Sequence, residues 1–219
     1  MPEFSSIALV GDNYFLCSGG QGPNKASARD RSFYDALSHG PNVSHTYVAI
    51  GEAGSYFIKY RDDRGSHFSV YALSIHYPGL HKELSSSEDS PTFVSLGPAG
   101  NYFARWADGR YMWNLDSNTE SHLNLEDDAS RVKRMWLGKD SSYIALYENG
   151  GLAWNLKGNY GSLHQSLKYF AGDKVLGVGL NLQNGRSYIV LFSDGKVRIN
   201  GTGTGLTHDS VSDWLDSAL

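Results

Sequence analysis

The chain has 219 residues, 19% of them charged, and a formal net charge of −4. That balance supplies no basic field for nucleic acid or anionic lipid. The lone cysteine, Cys17, excludes an internal disulfide and a cysteine-built metal cluster.

The chain opens with "MPEFSSIALVGDNYFLCSGG", which has no basic n-region and no clear cleavage site. Nothing in the chain approaches the roughly 18 consecutive apolar residues of a spanning helix. A cytoplasmic protein without membrane insertion is expected. Glycine is abundant (25 residues), aromatics make up 13%, and prolines number only six, which suits short strands joined by tight turns.

The first unit, residues 7–45, carries the apolar run "IALVG" and then "DNYFL". Its stretch from Cys17 to Phe33 is the least regular of the chain, and the unit ends near "SFYDAL". The second unit, 46–91, repeats the plan as "YVAIG", "GSYFI" and "RDDRGSHFSVYAL", with a turn expected to be two residues longer, and then "GLHKEL". The third, 92–131, reads "FVSLG", "GNYFA", "ADG", "RYMWNL" and "SHLNL". The fourth, 132–174, reads "RMWLG", "SSYIA", "ENG", "GLAWNL" and "SLHQSL". The fifth, 175–219, reads "LGVGL", "RSYIV", "SDG" and "KVRIN", a glycine-rich connection "GTGTG", and finally "VSDWL".

Each unit is anchored by a tyrosine: Tyr14, Tyr56, Tyr102, Tyr143 and Tyr188. The intervals are 42, 46, 41 and 45 residues, so five units account for the whole chain as a single domain, 1–219. Asp-Gly and Asn-Gly predict hairpins whose two central residues both take positive φ. Side chains alternate across a strand, and both faces of the middle strand are largely apolar: Tyr102 and Ala104 on one, Phe103 on the other. A sheet covered on both sides by copies of itself meets that demand. The expected fold is all-β, a five-bladed β-propeller of about 43-residue repeats. The fourth element of each unit is compatible with a strand or with a short helical segment.

The pattern "LGxxGSYF…DGxxxWNL" resembles tandem repeats in fungal proteins, and five blades of this length resemble the tachylectin-2 class of sugar-binding propellers in architecture only. That second likeness implies a carbohydrate-binding ring; no binding residue carries over, because the tachylectin repeat itself is not present.

Catalytic motifs are missing: there is no G-x-S-x-G, H-E-x-x-H or P-loop. His81, His122, His164 and His208 fall at comparable places in different units, so one ion at about 2 Å could not collect them. The axial strands carry almost no carboxylate for glycoside hydrolysis. No cofactor or metal is implied. Binding remains. Trp113-Asn114 and Trp154-Asn155 pair an aromatic face with an amide, as sugar recognition does, and Arg105 and Lys59 put cations at one position of the middle strand. Packing and turn capping explain the same residues without a ligand. The leading expectation is a non-enzymatic, multivalent carbohydrate-binding propeller. A protein-interaction scaffold and an enzyme with its site in the axial funnel are the alternatives.

Overall fold

A computed structural model of the chain describes residues 6–11, 13–17, 25–27, 44–170, 174–201 and 207–218. They form five three-stranded antiparallel sheets, each built from consecutive strands in simple meander order. Sheet one comprises β1 (Ser6–Val10), β2 (Asn13–Cys17) and β3 (Lys25–Ser27). Sheet two comprises β4 (Ser44–Ile50), β5 (Tyr56–Asp62) and β6 (Gly65–Tyr71). It is followed by helices α1 (Leu73–His76) and α2 (Pro78–Ser86). Sheet three comprises β7 (Phe93–Leu96), β8 (Tyr102–Arg105) and β9 (Tyr111–Asn114), followed by α3 (Ser117–Leu123) and α4 (Leu125–Asp128). Sheet four comprises β10 (Val132–Leu137), β11 (Tyr143–Tyr147) and β12 (Leu152–Asn155), followed by α5 (Gly161–Leu167). Sheet five comprises β13 (Val175–Leu180), β14 (Tyr188–Phe192) and β15 (Val197–Asn200), followed by α6 (His208–Ala218).

The fourth element of units two to five is thus helical. Leu80 and Leu84 in α2, Thr119 and Leu123 in α3, and Leu163 and Leu167 in α5 are buried pairs four residues apart, one inward stripe per helix. Pro78 opens α2, and the Asp116 carboxylate caps α3 through the Thr119 amide at 3.1 Å. The "SFYDAL" segment of unit one lies outside the described residues, as do "GTGTG" beyond Gly201 and most of the stretch from Cys17 to Phe33.

The hairpins correct one expectation. At Asp108-Gly109, Asn149-Gly150 and Asp194-Gly195 only the glycine has positive φ, at 89°, 81° and 78°. Each glycine amide closes onto the carbonyl three residues back, Trp106, Tyr147 or Phe192. This is the three-residue loop with a left-handed glycine rather than the two-residue turn. The Asp or Asn earns its place through its side chain, which accepts the amide two residues on: Arg110 at 3.0 Å, Gly151 at 2.9 Å and Lys196 at 3.2 Å. The turn with two left-handed residues occurs instead between first and middle strands, at Ala53-Gly54, Ala99-Gly100 and Asp140-Ser141. Unit two also differs from expectation. Its extra residues lengthen β5 and β6 to seven each, and the connection, Asp63-Arg64, stays short.

First strands contact one another in sequence: β1 with β4, β4 with β7, β7 with β10, β10 with β13, and β13 with β1. Hydrogen bonds cross every junction. Val48 N donates to Ser6 Oγ at 2.8 Å, and Tyr47 Oη bonds both polar atoms of the Val94 backbone. Leu137 N donates to Ser95 Oγ at 3.0 Å, and Arg134 Nη1 donates to Leu176 O at 2.8 Å. At the last junction the buried Asn181 side chain bonds Gly11, with Nδ2 donating to the carbonyl at 2.7 Å and Oδ1 accepting the amide at 3.2 Å.

Middle strands fill the space between sheets. On β2, Tyr14 and Leu16 pack with Ile189 and Leu191 of sheet five, while Phe15 packs with Val48 and Ile58 of sheet two. The anchor tyrosines reach toward the helix of the preceding unit: Tyr143 Oη bonds His122 Nδ1 of α3, and Tyr188 Oη lies 3.1 Å from Ser162 Oγ of α5. The phrase recurs because each middle strand has to cover two neighbours and seal one helix.

Candidate functional site

The Trp-Asn pairs sit at equivalent ends of two neighbouring sheets. Trp113 lies across from Phe103 and Trp154 across from Ile144; both are half-buried and pack against the central core. Asn114 and Asn155 stand opposite the anchor tyrosines Tyr102 and Tyr143, on the surface. Each serves the local backbone: Asn114 Nδ2 donates to Gly100 O at 2.9 Å, and Asn155 Oδ1 accepts Lys157 N at 3.1 Å.

Arg105 and Lys59 are not brought to those pairs. Arg105 pairs with Tyr111 at the opposite end of the β8–β9 ladder from Asn114. Its guanidinium meets Glu148 at 2.5 Å, donates to Lys133 O at 3.3 Å and lies 5.3 Å over the Tyr111 ring. Lys59 Nζ donates to Pro91 O at 3.1 Å. Arg105 therefore ties one unit to the next, and Lys59 fastens the end of its own unit. The acceptors follow from the register. The first strands β10 and β13 carry a bulge, between Val132 and Arg134 and between Val175 and Gly177. The bulged residues Lys133 and Leu176 leave the ladder, and Arg105 and Arg134 bond the carbonyls so freed. Burial pulls the Arg134 guanidinium down to about 10, and the charge of Arg105 adds to the effect.

Where the five first strands meet, the enclosed space is about 40 Å³. Ile7, Leu9, Leu96, Trp136 and Leu180 line it, and its hydroxyls, on Ser6, Tyr47 and Ser95, are already bonded to backbone groups. That volume suits a water molecule or two, not a substrate.

A larger depression, about 580 Å³, lies beside sheet five. The chain just after α5 supplies Tyr169 and Phe170, and the β14–β15 hairpin supplies Phe192, Asp194, Lys196 and Arg198. Lys174 comes from the approach to β13, and His208 and Ser212 come from the first turns of α6. Phe170 meets Phe192 edge to face, with centroids 4.9 Å apart and planes at 82°. The Tyr169 side chain is 86% exposed and free to act as a platform. Lys196 Nζ lies 2.6 Å from Asp194 Oδ2, and this bond, the Lys196 amide and the charge of Lys174 hold the Asp194 carboxyl below the usual carboxylate range. Arg198 forms no ion pair with any described residue.

The same hairpin in sheet three is more tightly filled, beside a smaller depression of about 220 Å³. Arg110, at the position of Lys196, is held by Asp108 at 2.5 Å and Glu83 at 2.9 Å and lies 5.2 Å over Trp106. Trp106, at the position of Phe192, is buried and donates to Asp89 O at 3.1 Å. Sheet five replaces this plug with smaller rings and open space. Recurrence does not mark the cleft, because Arg198 stands where units three and four have Met112 and Ala153. The available signal was the break in the repeat, together with the exposed doublet Tyr169-Phe170.

Among the described residues no three His, Cys, Asp or Glu side chains converge on a metal position. No described helix is long and apolar enough to cross a membrane. Compared with protein-family models and with curated proteins, the sequence finds no match to either.

Proposed function

We propose that the chain is a five-bladed β-propeller that binds carbohydrate without turning it over, through the cleft beside sheet five. The circuit of first-strand contacts from β1 round to β13 and back supports the propeller reading. The cleft carries the functional one. Its volume of about 580 Å³ falls in the range of small-molecule sites, and aromatic faces beside hydrogen-bonding groups suit a sugar ring and its hydroxyls. The Trp113-Asn114 and Trp154-Asn155 pairs offer a weaker, repeated surface, since their amides are engaged with their own turns. An enzyme working in the axial funnel finds too little room there.

A glycan array with purified protein, followed by titration calorimetry, tests the reading. One equivalent of sugar per chain, lost on substituting Tyr169→Ala or Phe192→Ala with the melting temperature retained, is the expected result. A blank array from folded protein would reject carbohydrate as the ligand. Two or more equivalents that survive those substitutions would move the site to the Trp-Asn pairs.

A further inference from the structure

The cleft beside sheet five differs from the rest of this acidic chain in its charge. Among the described lining residues Lys174, Lys196 and Arg198 face one carboxylate, Asp194, a surplus of two positive charges in a protein of net charge −4. Asp209 and Asp213 of α6 are not part of the lining. Arg198 sits on the edge strand β15, and Lys196 lies two residues before it in the hairpin that leads into that strand. The third, Lys174, comes from across the cleft, and its backbone is fixed there, with Lys174 O accepting Ser193 N at 2.8 Å. His208 and Ser212 complete the rim from the N-terminal turns of α6.

Several cations elsewhere in the chain serve the structure. Arg105, Arg110 and Lys157 each meet an acid within 3.2 Å, Arg134 bonds a carbonyl of the next unit, and Lys59 bonds the carbonyl that ends its own unit. Arg198 has no such partner among the described residues, although it lies at the cleft wall beside three aromatic rings. An unpaired guanidinium against apolar surface is a favourable place for a carboxylate or sulfate, which it meets with a two-pronged hydrogen bond.

Resting on the carbohydrate reading above, we propose that the ligand class of this cleft is an acidic saccharide: a sugar ring carrying a carboxylate or sulfate. Arg198 and Lys174 hold the anion, and Tyr169 and Phe192 take the face of the ring. Lys196, partly neutralised by Asp194, is a secondary contact.

The test is titration calorimetry of the full chain with D-glucuronate, N-acetylneuraminate and glucose 6-sulfate, against glucose, N-acetylglucosamine and inorganic sulfate. At least tenfold tighter binding of the acidic sugars than of their neutral counterparts is expected, weakening several-fold as sodium chloride rises from 0.05 to 0.5 M. Arg198→Ala should cost tenfold or more for acidic sugars and Arg198→Glu should abolish their binding, with the melting temperature unchanged because Arg198 is exposed. Neutral and acidic sugars binding alike would overturn the anion assignment and leave the carbohydrate reading standing. Sulfate binding as tightly as the acidic sugars would overturn it as well, marking a simple anion site. Undiminished acidic-sugar affinity in Arg198→Glu would place the ligand elsewhere, and no saccharide binding at all would reject both readings.

Discussion

Two tyrosines outside the repeated phrase carry much of the local architecture. Tyr160 accepts the Lys139 amide at 2.9 Å and donates to Asn181 O at 2.6 Å, so one hydroxyl joins unit four to unit five. Tyr77 does the same between units two and three, accepting from Glu52 N at 2.9 Å and donating to Gly97 O at 2.6 Å. These rings also explain the glycine that ends the first strand. A Cβ on Gly51 would lie 2.2 Å from Tyr77 Oη, and one on Gly138 would lie 2.7 Å from Tyr160 Oη. Tyr160→Phe keeps the ring and strips two buried backbone groups of their partner. A loss of about 2–4 kcal/mol in urea unfolding is expected, and a loss below about 0.5 kcal/mol would show that the groups find other partners. The same burial sets a pH limit. It pushes both phenols up to about 12, outweighing their hydrogen bonds. An unfolded chain ionises them near pH 10, so their stabilising contribution is complete below that pH and is lost as pH rises toward about 12. The loss approaches about 3 kcal/mol for each phenol. Loss of near-ultraviolet dichroism together with the last, most alkaline part of the phenolate absorbance would bear this out; complete tyrosine ionisation in a still-folded chain would contradict it.

At the scale of elements, hairpin loops and helices divide the information differently. Gly109 has φ of +89° and nothing within 4 Å of an added Cβ, so Gly109→Ala isolates the backbone term. A cost of about 1–2 kcal/mol is expected from left-handed strain, read as a lowered midpoint in chemical denaturation, and no change would mean the loop relaxes into another turn. The hairpins were legible because Asp-Gly and Asn-Gly act within four residues. Their exact form was not, since a two-residue and a three-residue loop use the same dipeptide. The short helices were harder. Leu80 with Leu84 and Leu163 with Leu167 show the spacing of four, but six-residue segments hold barely more than one turn of pattern. Their helicity comes from the tertiary surface under them, where the anchor tyrosines of the next unit arrive. Trp113 and Trp154 illustrate the other limit. Their recurrence was visible, yet recurrence reports what each unit needs in order to pack. The cleft beside sheet five is assembled from four separated stretches by the fold, and it is marked by what does not recur.

For the whole molecule the question is where the circuit is joined. Four of the five junctions between first strands link neighbours along the chain; the fifth links β13 to β1 across some 170 residues, as in Gly11 with Asn181. That junction is tightly made. A Cβ on Gly179 would lie 2.5 Å from Ile7 Cγ2, and Leu9, Tyr14 and Leu16 share one apolar cluster with Ile189, Leu191 and Trp214 of the last unit. Opening it exposes that cluster and leaves the Asn181 amide without Gly11, two costs that act at once on sheets one and five. The faces so uncovered belong to strands that also support sheets two and four, so the loss should spread rather than stay local. Removing residues 1–10 is therefore expected to lower the melting temperature of the entire chain in a single transition, with hydrogen-exchange protection falling in β8 and β11 as well as in β14. If sheets two to four kept their protection and their melting point, the circuit would be a string of independently stable neighbours, and the apolar seam between Leu9 and Ile189 would be a local contact only.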